Sequence, residues 1–111
     1  MRIIHTEDLP PRPEDMDGAR GLHYRGPIDT SSFRINHVEI EPGGISRSHE
    51  HRWEQVNFVL EGSGYLCAGG QEARVTRGDL VVVDSDEPHQ FRNDGEVGLV
   101  LLGILGPESM E

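Results

Sequence analysis

From Phe33 onward, short apolar segments alternate with clusters of Gly, Pro, Asn and Asp at intervals of roughly 8–12 residues, the pattern of an all-β sandwich or barrel. The segments predict strands over residues 33–41, 55–61, 65–68, 72–75, 80–83, 90–92 and 97–105. Turn chemistry separates them: Pro42-Gly43-Gly44, Gly62-Ser63-Gly64, Gly69-Gly70, Arg77-Gly78-Asp79 and Asn93-Asp94-Gly95. No stretch carries a sustained helical stripe, and Pro10 and Pro11 interrupt the acidic segment that opens at Glu7. Residues 1–26, with Pro10, Pro11 and Pro13 beside Glu14, Asp15 and Asp17, hold no period of 2 or 3.6. They read as an irregular N-terminal arm ahead of one β-barrel domain over 27–111.

The segment Gln55-Val56-Asn57-Phe58-Val59-Leu60-Glu61 alternates most clearly. Its even positions are large and apolar, and its odd positions are polar except Val59, so the two sets face opposite sides of a sheet. If the polar set faces a site inside the barrel, Val56, Phe58 and Leu60 point outward and require cover. That implies a second sheet or a second subunit, with a homodimer as the expected assembly.

Histidine supplies the candidate chemistry. His49 and His51 are one residue apart, which on an extended strand puts both imidazoles on one face about 7 Å apart. The same phase brings Gln55 to that face and puts Glu54 on the other. Glu54 remains a substitute if the chain kinks after His51. His89 follows Pro88 at the start of another predicted strand. Imidazole donors with one oxygen donor suit a single divalent ion such as Fe, Mn, Co, Ni or Zn.

Composition narrows the field. Acidic residues outnumber basic ones 20 to 10, a formal net charge of −10, the wrong balance for binding nucleic acid or an anionic membrane. All 10 basic residues are Arg, which excludes a Schiff-base lysine. The single Cys67 allows neither an internal disulfide nor a thiolate cluster, and is expected to be a small buried hydrophobe. The N-terminus lacks the apolar stretch of a signal peptide, and the longest apolar run, 97–105, is far short of the ~20 residues that span a bilayer. A cytoplasmic location is the expectation.

The histidines sit in a larger pattern. Gly43, five residues, His49, one residue, His51, three residues, Gln55, six residues and Gly62 resemble the first cupin motif. Gly78, five residues, Asp84, one residue, Asp86, two residues, His89, three residues and Asn93 resemble the second. The resemblance implies a small double-stranded β-helix, the jelly-roll class, usually dimeric, with one metal inside the barrel. It casts His49, His51, Gln55 and His89 as the metal ligands. Gln55 stands where the family usually has Glu, and Asp84 and Asp86 stand where it has Pro and Gly, in a turn where Asp serves. Three imidazoles and an amide are neutral, so a bound divalent ion keeps its +2 charge, which weakens its retention and strengthens it as a Lewis acid. If Gln55 only hydrogen-bonds in the pocket, three histidines remain.

Asn57, one step beyond Gln55 on the same face, and Phe91, on the His89 face, are the expected pocket-lining residues. His37 shares a face with Glu39 and either borders the pocket or meets solvent. His5 and His23 belong to the arm and its surface. Trp53 either sits at the mouth or packs. The expected function is a metal-dependent enzyme acting on a small oxygen-bearing molecule, by dioxygenase, isomerase or ketonising chemistry. No charged pair near His49 and His51 is placed as a clear general acid or base, which favours chemistry led by the metal. The alternative is a small-molecule-binding or sensing barrel without turnover.

Overall fold

The computed structural model describes residues 1–14 and 18–111. Among the described residues nine strands are formed: β1 (Arg12–Glu14), β2 (Arg20–Asp29), β3 (Arg34–Ile45), β4 (Gln55–Glu61), β5 (Ser63–Ala68), β6 (Gln71–Thr76), β7 (Leu80–Val83), β8 (His89–Arg92) and β9 (Leu99–Leu105). Short 3-10 turns lie at Thr6–Asp8 and Pro107–Met110. No helix among the described residues is long and apolar enough to cross a membrane.

The strands form one curled antiparallel sheet in the order β6-β5-β8-β3-β9-β4-β7, with β2 on β3 and β1 on β2. Non-sequential neighbours dominate this order, as a jelly roll requires. The core gathers Leu22, Ile40, Val59, Val75, Val81, Val83, Phe91, Leu99 and Leu101 from seven strands. Alternation selects these residues: on β4, Asn57 and Val59 are buried while Phe58 is exposed.

Two expectations require correction. Residues 1–26 are not irregular throughout, because β1 and most of β2 lie within them. The β2–β3 register shifts twice, between Arg20 and Leu22 and between Arg25 and Ile28, so alternation survives only over the short stretch 22–25 and no long period-2 pattern forms. Pro13 sits on β1, which pairs only with β2 and so tolerates a residue lacking a backbone donor. Pro42-Gly43-Gly44 is not a turn between strands but a corner within β3. Gly43 takes φ +80°, and a Cβ on Gly44 would lie 2.8 Å from the Glu41 carbonyl oxygen. Beyond this corner β3 leaves β9 and pairs with β8 through Ile45 and Arg92.

Asn93 holds the corner. Its backbone N–H donates to the Gly44 carbonyl at 3.0 Å, and its carbonyl accepts from the Gly43 N–H at 2.8 Å. Its Nδ2 donates to the carbonyls of Ile40 and Val97, both at 2.8 Å, and its Oδ1 accepts from the Gly95 N–H at 2.9 Å. A buried carboxamide with every polar end paired is a structural clamp.

Candidate metal centre

The residues between β3 and β4 carry His49, His51 and Trp53. His49 and His51 are not on an extended strand, as their spacing suggested; the segment is irregular apart from one antiparallel bridge. In that bridge the His49 N–H donates to the His89 carbonyl at 3.3 Å, and the His89 N–H donates to the His49 carbonyl at 3.0 Å. The β7–β8 turn docks on the same segment: the Asp86 N–H donates to the His51 carbonyl at 2.7 Å, and Ser85 Oγ donates to the Arg52 carbonyl. Asp86 takes φ 63°, a left-handed conformation that Asp tolerates better than most residues.

These ties bring the three imidazoles together. Ring centroids lie 4.5 Å apart for His49 and His89, 4.9 Å for His51 and His89, and 5.3 Å for His49 and His51. One ligating nitrogen from each lies within 4.8 Å of the other two. Each Nδ1 faces a backbone carbonyl: His49 that of Arg47 at 3.0 Å, His51 that of Trp53 at 2.9 Å, and His89 that of Glu87 at 3.0 Å. A carbonyl only accepts, so each Nδ1 carries the proton and each Nε2 keeps its lone pair for a ligand. His89 is 2% exposed, and its Nε2 is buried without a protein partner. The His51 ring stacks on Trp53, with centroids 4.3 Å apart and planes inclined by 9°.

Gln55, first residue of β4, places Oε1 3.0 Å from His51 Nε2. Two acceptors at this separation are compatible as neighbouring ligands of one cation, since donors about 2.1 Å from an ion and at right angles lie about 3.0 Å apart. The donor set therefore fits a divalent metal. Glu54 is exposed and is absent from the cavity wall. Burial pushes the His49 and His89 imidazoles below the usual 6.5, against the opposing effect of their carbonyl partners, and so favours the neutral, ligating form. Arg47 beside His49, and the imidazoles' own proximity, act in the same direction as burial.

The triad opens into a cavity of about 520 Å³, within the range of small-molecule sites. Asn57 and Phe91 line it with Trp53 and Gln55; His37 does not. The wall from β3 is Asn36, Val38 and Ile40, the opposite phase. His37 instead sits opposite Leu102 of β9, which sits opposite Phe58 of β4, in an outer row. Ile35 and Val38 fall on different faces, so hydropathy on β3 did not reveal which phase is inward. The arm is also part of the site, since Arg12, Pro13, Glu14, Leu22 and Tyr24 contribute to the cavity. The Leu22/Tyr24 alternation was the available signal. His5 is exposed, and His23 on β2 pairs with Glu41 at 3.2 Å, at the surface as expected. Cys67 is half-buried rather than sealed, with Sγ 3.9 Å from a Glu72 carboxylate oxygen.

Two measurements test this arrangement. His89→Ala is expected to weaken divalent-metal binding by at least about 100-fold. The single Trp53, stacked on His51, reports loading: Co(II) or Ni(II) titration should quench its fluorescence in the parent and not in the variant. The second concerns pH. Unfolded imidazoles titrate near 6.5 while folded His49 and His89 titrate lower, so below 6.5 the unfolded chain takes up more protons. Metal-free protein should lose stability as pH falls below 6.5, as read by melting after chelation, and the slope should shrink when both histidines are replaced by Gln.

Comparison with known proteins agrees with this geometry. The Cupin_2 family model, a cupin domain, matches residues 36–105, more than half the chain. The polyketide cyclase RemF from Streptomyces resistomycificus superposes with a TM-score of 0.87 at 26% identity, covering 96% of this chain and 80% of that one. The tetracenomycin polyketide synthase protein TcmJ of Streptomyces glaucescens is 23% identical over 105 residues, covering 94% of this chain and 70% of that protein. Acireductone dioxygenase 1 of Physcomitrium patens is 30% identical over 80 residues, 68% of this chain, and the match spans 41% of that enzyme's length. With the family match running from β3 to β9 across the histidine-bearing segments, the chain belongs to the cupin family.

Proposed function

We propose that this cupin is a metal-dependent enzyme acting on a small oxygen-bearing molecule, by dioxygenase, isomerase or ketonising chemistry. The observation that carries the reading is the convergence of three imidazole nitrogens within 4.8 Å, each with its Nδ1 tied to a backbone carbonyl. His49, His51 and His89 would hold the ion, with Gln55 as a fourth ligand. When bound, a divalent ion supplies Lewis acidity, undiminished by any negatively charged ligand.

The chain's own residues do the rest. Leu22, Val38, Ile40, Phe91 and Leu101 give the cavity apolar walls that exclude water from the reacting groups. The backbone carbonyls of Arg47, Trp53 and Glu87 fix ring orientation and raise ligand basicity. Among the described cavity-lining residues the only carboxylate is Glu14, on β1, a strand remote in sequence from the histidines. The carboxylates of the histidine-bearing segments, Glu50, Glu54 and Glu87, do not line the cavity. Similarity to an acireductone dioxygenase and to a polyketide cyclase supports an oxygen-rich substrate.

We further propose that two copies pack through the outer face of β3, β9, β4 and β7. Ile35, Ile104, Val56 and Val82 form one cross-strand row there, and Leu102, Phe58 and Leu80 lie in the next. Leu80 is 67% and Val82 61% exposed, an apolar surface that a second copy would cover in a twofold interface.

Chelated protein should show no turnover, and activity should return with one of Fe, Mn, Co, Ni or Zn. The check is oxygen uptake and product analysis against a panel of enediols, catechols and β-dicarbonyls. Ligand-dependent melting shifts with no product under any metal would instead support a binding module. Sedimentation should give twice the chain mass, and Leu80→Glu, by burying a charge in an apolar interface, should weaken association more than about tenfold.

A further inference from the structure

Two asparagines are sealed inside this barrel, and the protein treats them differently. Asn93, 2% exposed, has three hydrogen bonds to its side chain. Asn57, 3% exposed, buries an Nδ2 that finds no acceptor among the described residues. A buried amide left unpaired is unfavourable against an apolar side chain of similar size, and native structures hold few. On the same face Gln55 precedes it and Val59, fully buried, follows; Val81 is its partner on β7, and Asn36 lies one strand beyond Gly103 in the same row. Among the described residues nothing accepts a hydrogen bond from this amide.

Its position suits a ligand. Asn57 follows Gln55 on the same strand face, one repeat of about 7 Å from the carboxamide beside His51. Its partner on β9 is Gly103, where a Cβ would lie 3.1 Å from Asn57 Oδ1, so glycine leaves space beside the carboxamide. Phe91 and Leu101 line the same cavity. Other buried polar atoms without protein partners, Asn36 Oδ1, Trp53 Nε1 and His89 Nε2, also belong to residues on this wall.

We propose that Asn57 binds a carbonyl or hydroxyl oxygen of the substrate, about 7 Å from the oxygens held at the histidine centre. The substrate is then a ring-sized molecule oxygenated at both ends. This inference rests on the metal-dependent reading above. The carboxamide both donates and accepts, so it serves either kind of oxygen. Asn57 is thereby a specificity residue, selecting for the far end of a molecule whose near end meets the metal.

The test uses Zn(II)-loaded full-length protein and two probes measured by calorimetry: catechol, oxygenated at one end, and protocatechualdehyde, which adds a carbonyl across the ring. The aldehyde also acidifies the hydroxyls, so the affinity ratio of the two probes in Asn57→Leu serves as the baseline. The ratio in the parent is expected to exceed that baseline by roughly five- to tenfold. Asn57→Leu should keep the parent's zinc stoichiometry and catechol affinity, and its metal-free melting temperature should equal or exceed the parent's. Equal ratios in parent and variant, with catechol still bound, overturn the role of Asn57 and leave the metal reading intact. Zinc-loaded parent that binds neither probe overturns the metal reading, and this inference with it. A lower melting temperature with both probes weakened alike marks Asn57 as structural and also overturns the proposal. Asn57→Ala gives the same comparison should leucine unsettle the barrel.

Discussion

The site depends on a reciprocal pair of backbone hydrogen bonds between His49 and His89. The segment that carries His49 and His51 has little regular structure of its own, and β8 is only four residues long. Their bridge fixes two ligand-bearing backbones against each other, and the Asp86–His51 bond adds the turn that precedes β8. Each imidazole is then set by its Nδ1 bond to a carbonyl two residues away in its own segment. Ring orientation is thus local and convergence is tertiary, so the donor cluster needs no long-range side-chain contact to preorganise it.

The same barrel separates packing from binding. One part is closed by Val59, Val83, Leu99 and Leu101, all at most 2% exposed, and Asn93 holds the β3 corner that lets the sheet curl around them. The cavity shares Ile40, Phe91 and Leu101 with this core, so its floor is as rigid as the core itself. Asn93, which serves the fold, is fully paired, while Asn36, Trp53, Asn57 and His89, each with a buried polar atom lacking a partner among the described residues, line the cavity; Arg92 Nε is a buried atom of that kind away from it. This division shows in hydrogen-bond satisfaction rather than in residue type, because both classes include buried asparagine.

Neutral donors give the centre its electrostatic character. Burial favours the neutral form of His49 and His89, and Gln55 places an uncharged amide beside His51. A divalent ion held by such a set retains its charge, while the chain as a whole is strongly acidic, at −10. Acidic residues are spread over the described surface, and among the lining residues only Glu14 is acidic.

Much of this was legible in the amino-acid order. Strand pattern, turn residues and the spacing of His49, His51, Gln55 and His89 determined an all-β chain with a candidate metal motif, because period-2 alternation and short-range spacing are local properties of the chain. Alternation on β4 also implied that Phe58 faces outward if Gln55 and Asn57 face the site, and Phe58 is exposed while Asn57 is buried. The phase of β3 could not be read, because Ile35 and Val38 supply apolar residues to both of its faces; pairing with β9 decided that Asn36 lines the cavity and His37 does not. Two register shifts against β3 hid β2, β1 is only three residues long, and both reach the cavity wall through pairing, β2 with β3 and β1 with β2. Above all, whether a buried asparagine is clamped or left unpaired depends on which backbones fold against it, and only the tertiary structure brings those together.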